Sequence, residues 1–171
     1  MLVPAFGGRY RVSYFVGKRW GKENKMVSLS WCLKQKKGIQ LIEPSDNLCL
    51  AYLKDADDSL KIMLSIQGKW KVITAYYSCY NAFYALLLKA GIKSEIHDCT
   101  LALMHLFQFT AEDISFLSQL KTERIDAQYY LKNVLSPNDL QVKSFVLKCK
   151  HLAAQLDDDT IAKMRGLVKN G

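Results

Sequence analysis

The chain has 171 residues, of which half are hydrophobic, nine are glycine and three are proline. This length fits one domain, and the scarcity of chain-breaking residues favours long helices over many short strands. The formal net charge is +8, but residues 1–27 carry +5 of it and the other 144 residues only +3, so the body of the chain gives no charge argument for binding nucleic acid.

The first 27 residues differ from the rest and are predicted to form a basic N-terminal arm. The β-forming stretch Arg9–Val16 lies between glycines, which is compatible with a short strand or hairpin. The alternatives are a loosely held, disordered tail, a basic arm that contacts phosphates, or a leading segment ahead of a natural start at Met26. The domain itself is predicted to span residues 28–171.

Helical patterns follow in chain order. A short helix capped by Ser28 or Ser30 is predicted to end at Gly38, followed by an extended connector. Ser45, Asp46 or Asn47 can each cap the next helix, 48–66, in which apolar residues recur at three- and four-residue steps. The helix 70–90 is apolar on almost every face and is therefore predicted to be central, with Gly91 just after its end.

The second half of the chain is also predicted to be helical. Ser94 is expected to cap a helix that continues to residue 109, and Thr110 with Asp113 matches a capping box. The helix after Thr110 continues to about residue 131, Pro137 interrupts the chain, and a helix follows from 139 to 156. A final short helix or a frayed extension closes the chain, so the predicted fold is an all-α, up-and-down bundle of four to five main helices.

Cysteine, histidine and apolar residues indicate what the chain lacks. The five cysteines are an odd number with no C-x-x-C pair, which argues against a disulfide framework and predicts buried free thiols in a reducing cytosol. The three histidines have no metal-ligand spacing, so no metal site and no cofactor are predicted. No secretory signal is visible and the longest apolar run, 82–88, is too short to cross a bilayer, so a cytoplasmic protein is expected.

Candidate site residues stand on the predicted helices. Arg124 and Gln128, four residues apart, are expected to share one face, whereas Tyr129 lies about 140° around the axis from Arg124. Arg124 could pair with Glu123, with Asp126 or with a neighbouring helix, or it could bind a phosphate. Asn81 is the one strongly polar side chain in the middle of the central helix, and it either bonds to a neighbour in the core or lines a cleft.

Three stretches together resemble the HEPN superfamily (higher eukaryotes and prokaryotes nucleotide-binding domain). They are AYLKDADDSL, GKWKVITAYYSCYNAFYALLLKAGIKSEIHDCTLAL and FLSQLKTERIDAQYYLKN, and the resemblance covers residues 47–156. It implies a helical bundle that forms a homodimer and is often encoded beside a minimal nucleotidyltransferase. His97 falls where the resemblance also has a histidine, at the start of a predicted helix.

The resemblance also implies a test for ribonuclease activity. Nuclease members carry an arginine and, four to six residues later, a histidine that acts on the ribose 2′-hydroxyl while the arginine holds the scissile phosphate. Arg124 matches the arginine, but Tyr129 stands at the histidine position, and Tyr130 and Leu131 at the longer spacings. Because tyrosine has an ordinary pKa near 10, it is a poor general base at neutral pH. The sequence is closer to the branch with an R-x-x-A-[DQ]-Y signature.

Two functions therefore stay open, and whether the chain is an enzyme is uncertain. The first is a nucleotide- or RNA-binding component of a toxin–antitoxin-like pair with a minimal nucleotidyltransferase, in which Arg124, Asn81 and Tyr129 line the cleft of a homodimer. The second is a metal-independent ribonuclease toxin with an altered catalytic pair, in which Arg124 stabilises the transition state and Tyr129 or His97 handles the proton. A plain structural helical protein is the remaining alternative.

Overall fold

The structure, a computed structural model, describes residues 27–170. The arm predicted at residues 1–27 therefore lies, apart from Val27, outside the described residues. Within them the chain is an α-helical bundle with one small antiparallel sheet, which confirms the predicted all-α class. The helices are α1 (Leu29–Lys34), α2 (Asp46–Ser65), α3 (Lys69–Lys89), α4 (His97–Ala102), α5 (Ala111–Tyr129), α6 (Asp139–Gln155) and α7 (Asp158–Asn170), and a 3-10 turn spans Leu103–Leu106. The strands are β1 (Ile39–Leu41) and β2 (Ile92–Ser94).

Helix α3 is the centre of the bundle. It packs against α2, α5 and α6, and most of its side chains are buried. At the contact between α2 and α3, the Ser78 hydroxyl donates a hydrogen bond of 2.9 Å to the backbone oxygen of Ala56, which is fully buried. The apolar character of α3 is thus explained by packing inside one chain.

Local capping signals explain where several helices begin. Ser28 and Ser45 accept hydrogen bonds from the backbone N–H groups of Trp31 and Leu48 at the starts of α1 and α2. Thr110 and Asp113 form the predicted capping box at the start of α5. At the other end of α3, Gly91 has a φ of +67°, the left-handed conformation that glycine adopts without steric cost.

The segment after Gly91 differs from the prediction. Ser94 does not cap a helix; it is the last residue of β2 and pairs with Ile39 of β1. The predicted helix to residue 109 is only α4 followed by the 3-10 turn, and α4 begins at His97 without a side-chain cap. The partner of β2 is β1, which lies in the predicted connector after Gly38. Pairing with this distant segment therefore decides the structure at Ser94, not the local capping signal.

The prediction that every cysteine is a free thiol is wrong. Cys32 of α1 and Cys99 of α4 form a disulfide, with Cα atoms 5.6 Å apart and a sequence separation of 67. Cys49, Cys79 and Cys149 are free and buried, as predicted. The disulfide removes the cysteine argument for a reducing cytosol. Among the described residues no helix combines the length and apolarity that crossing a bilayer requires.

The C-terminal helix α7 is anchored on the bundle rather than frayed. Its Ile161 and Val168 are buried. Arg165 donates from Nη1 to the backbone oxygens of Ile42, at 2.6 Å, and Gly91, at 2.8 Å, with a longer contact of 3.4 Å to Ala90. One guanidinium therefore connects α7 to the C-terminal end of α3 and to the residue after β1.

Candidate functional site: a buried arginine among tyrosines

Arg124 lies in α5 against the tyrosine-rich face of α3, and only 7% of it is exposed. Its guanidinium carbon is 5.0 Å from the ring centroid of Tyr76 and 5.7 Å from that of Tyr77. These distances are typical of cation–π contacts, in which the negative face of the ring attracts the cation. We call Arg124, Tyr76, Tyr77, Tyr129 and His97 the Arg124 cluster.

The guanidinium has few polar partners. Nη1 donates to the side-chain oxygen of Gln128 at 3.2 Å, which agrees with the predicted shared face. Nε is buried without a hydrogen-bond partner. The acids predicted as partners are engaged elsewhere, Glu123 with Gln119 and Asp126 with Lys132. Within residues 27–170 the cation has no carboxylate partner, which is unusual because burying a charge without a counter-charge costs free energy.

Tyr129 meets Arg124 despite the unfavourable angle expected on an ideal helix. Its ring centroid lies 5.7 Å from the guanidinium carbon, and 64% of Tyr129 is exposed. Helix α5 runs unbroken from Ala111 to Tyr129, so this contact forms between two residues of one continuous helix. Tyr129 stands in the last turn of α5. The cluster therefore has a buried floor, Tyr76, and an exposed rim, Tyr129.

His97 joins the cluster through Tyr76. The Tyr76 hydroxyl and Nδ1 of His97 are 2.5 Å apart, and their rings are stacked with centroids 5.9 Å apart. Tyr80, one turn along α3, stacks closer on the imidazole, at 4.5 Å, while its hydroxyl lies 3.3 Å from that of Thr100. Tyr76, Tyr80 and Tyr84, which follow one another at four-residue spacing on α3, thus form a continuous stack, and the first two of them also stack on the histidine.

The surroundings of His97 favour its neutral form. Burial lowers the pKa of His97 below its ordinary value, the positive charges of Arg124 and Lys121 lower it further, and only Asp98 opposes them. Lys121 of α5 forms an ion pair with Asp98 of α4, which fastens the two helices together beside the cluster. The pKa of Tyr76 is raised by burial, so its hydroxyl keeps its proton at neutral pH.

Other predicted site residues are placed differently. Asn81 is half-buried on α3, and no hydrogen bond joins its side chain to any described residue, so the structure does not bring it to the cluster as a bonded partner. Gln128 is exposed and bonds to Arg124. A cleft between α5 and α6 lies elsewhere, and Lys148 and Asp113 in its wall pair with each other at 2.5 Å. Among the described residues no group of acids, histidines and cysteines has the arrangement of a metal site.

The sequence did not indicate five residues of this environment as functional residues: Tyr76, Tyr77, Tyr80, Asp98 and Lys121. Tyr76 and Tyr80 were visible as a stripe at four-residue spacing, and the need for hydroxyl partners was the signal that could have linked them to a histidine. Tyr77 and the Lys121–Asp98 pair had no such signal, because only the packing of α3, α4 and α5 brings them together.

Comparisons with known proteins give no assignment for this chain. No family model matches it, and neither a curated protein nor a solved structure matches it. The likeness to the HEPN superfamily therefore rests on the sequence stretches alone.

Proposed function

We propose that this chain is a HEPN-type homodimeric domain that binds the phosphate of a nucleotide or of RNA through Arg124. It would act as the binding component of a toxin–antitoxin-like pair with a minimal nucleotidyltransferase. The observation that carries the proposal is the burial of the Arg124 guanidinium without a carboxylate partner among residues 27–170. The HEPN family, the dimer and the partner rest on the sequence resemblance.

Burying the guanidinium of Arg124 away from water costs free energy. Tyrosine rings recover part of the lost hydration energy, but they satisfy none of the five N–H donors of a guanidinium. Within the described residues one of those donors is used, by Gln128. A phosphate supplies both the missing negative charge and paired acceptor oxygens that match the guanidinium fork.

The rim of the cluster fits a nucleotide rather than an isolated phosphate. Tyr129 is mostly exposed and its ring is against Arg124, so a base could stack on it while the adjoining phosphate reaches the guanidinium. Tyr130 and Lys132 follow, with the lysine nitrogen 5.4 Å from the tyrosine ring centroid. Alternating aromatic and basic groups are typical of surfaces that bind single-stranded nucleic acid.

The test is a binding measurement with two probes, ADP and a fluorescent single-stranded RNA oligonucleotide. Arg124→Met keeps the unbranched apolar stem and removes the charge, so we expect affinity to fall about tenfold or more, the value of a charge-assisted hydrogen bond. Arg124→Lys keeps the charge but loses the fork and should give an intermediate affinity.

Lys163→Met is the matched control, because this exposed lysine also loses one positive charge. Equal affinity of Arg124→Met and wild type for both probes, with circular dichroism showing that the variant is folded, would refute the proposal. Light scattering at tens of micromolar tests the homodimer separately, and co-purification with a co-expressed minimal nucleotidyltransferase tests the partner.

A ribonuclease is the second candidate, and the observation that favours it is the neutral histidine beside the arginine. His97 has a lowered pKa and shares Tyr76 with Arg124, so an imidazole and a guanidinium are present without the motif histidine. Incubation with RNA distinguishes the candidates. Cleavage that Arg124→Met and His97→Gln each abolish would favour the enzyme, whereas binding without cleavage would favour the binding module.

A further inference from the structure

The hydroxyl of Tyr76 is buried with a single partner. Tyr76 has no exposed surface, and among residues 27–170 its hydroxyl contacts one hydrogen-bonding atom, Nδ1 of His97, at 2.5 Å. If Nδ1 carried a proton, the hydroxyl would accept it and its own proton would face a buried environment without an acceptor. Such unsatisfied donors are avoided in folded proteins. The hydroxyl is therefore the donor and Nδ1 the acceptor.

This hydrogen bond decides which imidazole nitrogen carries the proton. A neutral imidazole has one protonated nitrogen, so accepting at Nδ1 leaves the proton on Nε2. The rings of Tyr76 and Tyr80 stack on the imidazole at interplanar angles of 27° and 24°, which fixes the plane in which Nε2–H points. The groups around the ring support the neutral form, since Arg124 and Lys121 oppose a second positive charge there.

We propose that Tyr76 is a positioning residue that holds His97 as the neutral Nε2–H tautomer, so that the imidazole donates a hydrogen bond to the phosphate bound by Arg124. This inference rests on the proposed function. Arg124 and His97 both contact Tyr76, one through the face of its ring and the other through its hydroxyl. Two hydrogen-bond donors of this kind can bind an anion whose oxygens only accept hydrogen bonds, as the oxygens of a phosphate do.

The hydrogen bond from Tyr76 to His97 also bears on the ribonuclease candidate. A general base needs a free lone pair, and the lone pair of His97 at Nδ1 is occupied by Tyr76. In this tautomer His97 cannot take a proton from a ribose hydroxyl unless it first leaves Tyr76. The hydrogen bond therefore favours a binding role for His97 over a catalytic one.

The experiment is long-range ¹H–¹⁵N NMR of the histidine rings in the full chain, with His97→Gln used to assign the signals. Wild-type protein at neutral pH should show His97 with an unprotonated Nδ1 and a protonated Nε2. Tyr76→Phe keeps the ring and removes the hydroxyl, so the single tautomer should give way to a mixture. Affinity for ADP should fall about three- to tenfold, the range expected for one neutral hydrogen bond.

Tyr84→Phe is the matched control, because this tyrosine belongs to the same stack but contacts Tyr80 rather than the imidazole. It should leave the His97 signals unchanged. A wild-type His97 protonated at Nδ1 would overturn the inference even if Tyr76→Phe failed to fold, and so would a tautomer that does not respond to Tyr76→Phe.

The failure of the proposed function would look different. Loss of ADP and RNA binding in Arg124→Met together with an Nδ1-protonated His97 would leave the function standing and remove the role of Tyr76. If His97 is an Nε2–H tautomer that depends on Tyr76, but Arg124→Met leaves the affinity for both probes unchanged, the proposed phosphate site is refuted instead.

Discussion

Two arginines in this molecule, the buried Arg124 and the half-buried Arg165, differ in their partners. Arg165 of α7 points its Nη1 at three backbone oxygens, those of Ile42, Ala90 and Gly91, at a place where α3 ends and leaves carbonyls without helical partners. Arg124 of α5 is more deeply buried, yet within the described residues it has one hydrogen bond and three tyrosine rings. Nη1 of Arg165 is used in holding the fold together, whereas Nε of Arg124 is buried without a hydrogen-bond partner among the described residues, and we propose that Arg124 binds a phosphate.

The largest expected effect comes from loosening the region beside Arg124 without touching Arg165. The Cys32–Cys99 disulfide fastens α4 two residues after His97 and closes a loop between positions separated by 67 in sequence. We expect the double variant Cys32→Ser/Cys99→Ser to lose about 4 kcal/mol of unfolding free energy, because the unfolded chain regains the entropy of the open loop. Urea denaturation measures this loss.

The single variant Cys49→Ser is the control, since it changes a buried cysteine outside the disulfide. The expectation fails if the double variant and this control are destabilised equally. The same result would mean that α4 is held mainly by its ion pair and its packing.

A smaller effect on the unfolding free energy is expected when the two arginines are replaced one at a time. Arg165→Met should lower the unfolding free energy by about 2 kcal/mol, because backbone oxygens lose a charged donor. Arg124→Met should stay within about 1 kcal/mol of wild type, since the lost ring contacts are offset by removing a buried charge. Urea denaturation of both, with Lys163→Met as a surface reference, makes the comparison.

A large loss of stability in Arg124→Met would contradict this ranking. Arg124 would then have a structural role equal to that of Arg165, and the argument for donors kept free for a phosphate would weaken.

The smallest effect is a dependence of stability on pH. The pKa of His97 in the folded chain lies below its ordinary value of 6.5, so the unfolded chain takes up the proton first as the pH falls. The unfolding free energy should therefore decrease as the pH drops below about 6.5 towards the folded pKa, and should be insensitive to His97 at higher pH. Denaturation from pH 7.5 to pH 5 would show this slope.

His97→Gln should remove this contribution to the slope, whereas His151→Gln, which changes an exposed histidine, should keep it. Identical slopes in wild type and His97→Gln would show that the imidazole is not held neutral by its surroundings.

Local signals in the sequence were enough to predict the helices and several of their ends. The hydroxyls of Ser45 and Thr110 cap the helices that follow them, and Gly91 ends α3 in the conformation that its lack of a side chain allows. The four-residue spacing of Arg124 and Gln128 predicted their contact. In each case the partners lie within one helical turn, so the pattern and the structure depend on the same few residues.

Distant pairings were not predictable in the same way. The sequence around Ser94 predicts a helix cap, but in the structure Ser94 pairs with β1, which lies more than fifty residues earlier in the chain. Cys32 and Cys99 had no spacing signal, because a disulfide depends on where two helices meet. Tyr76 and Tyr77, two of the three tyrosines that surround Arg124, belong to a different helix, so the sequence identified the cation without most of its surroundings.

The anchoring of α7 has a consequence for any attempt to shorten this protein. A Cβ atom placed on Gly91 would lie 2.1 Å from the Arg165 guanidinium and 2.6 Å from the Ile42 oxygen, so these three distant parts of the chain fit together without spare room. A truncation after α6 would remove Arg165, which holds this junction together. The truncated protein should therefore be cleaved by proteases near residues 42 and 91 as well as at its new end.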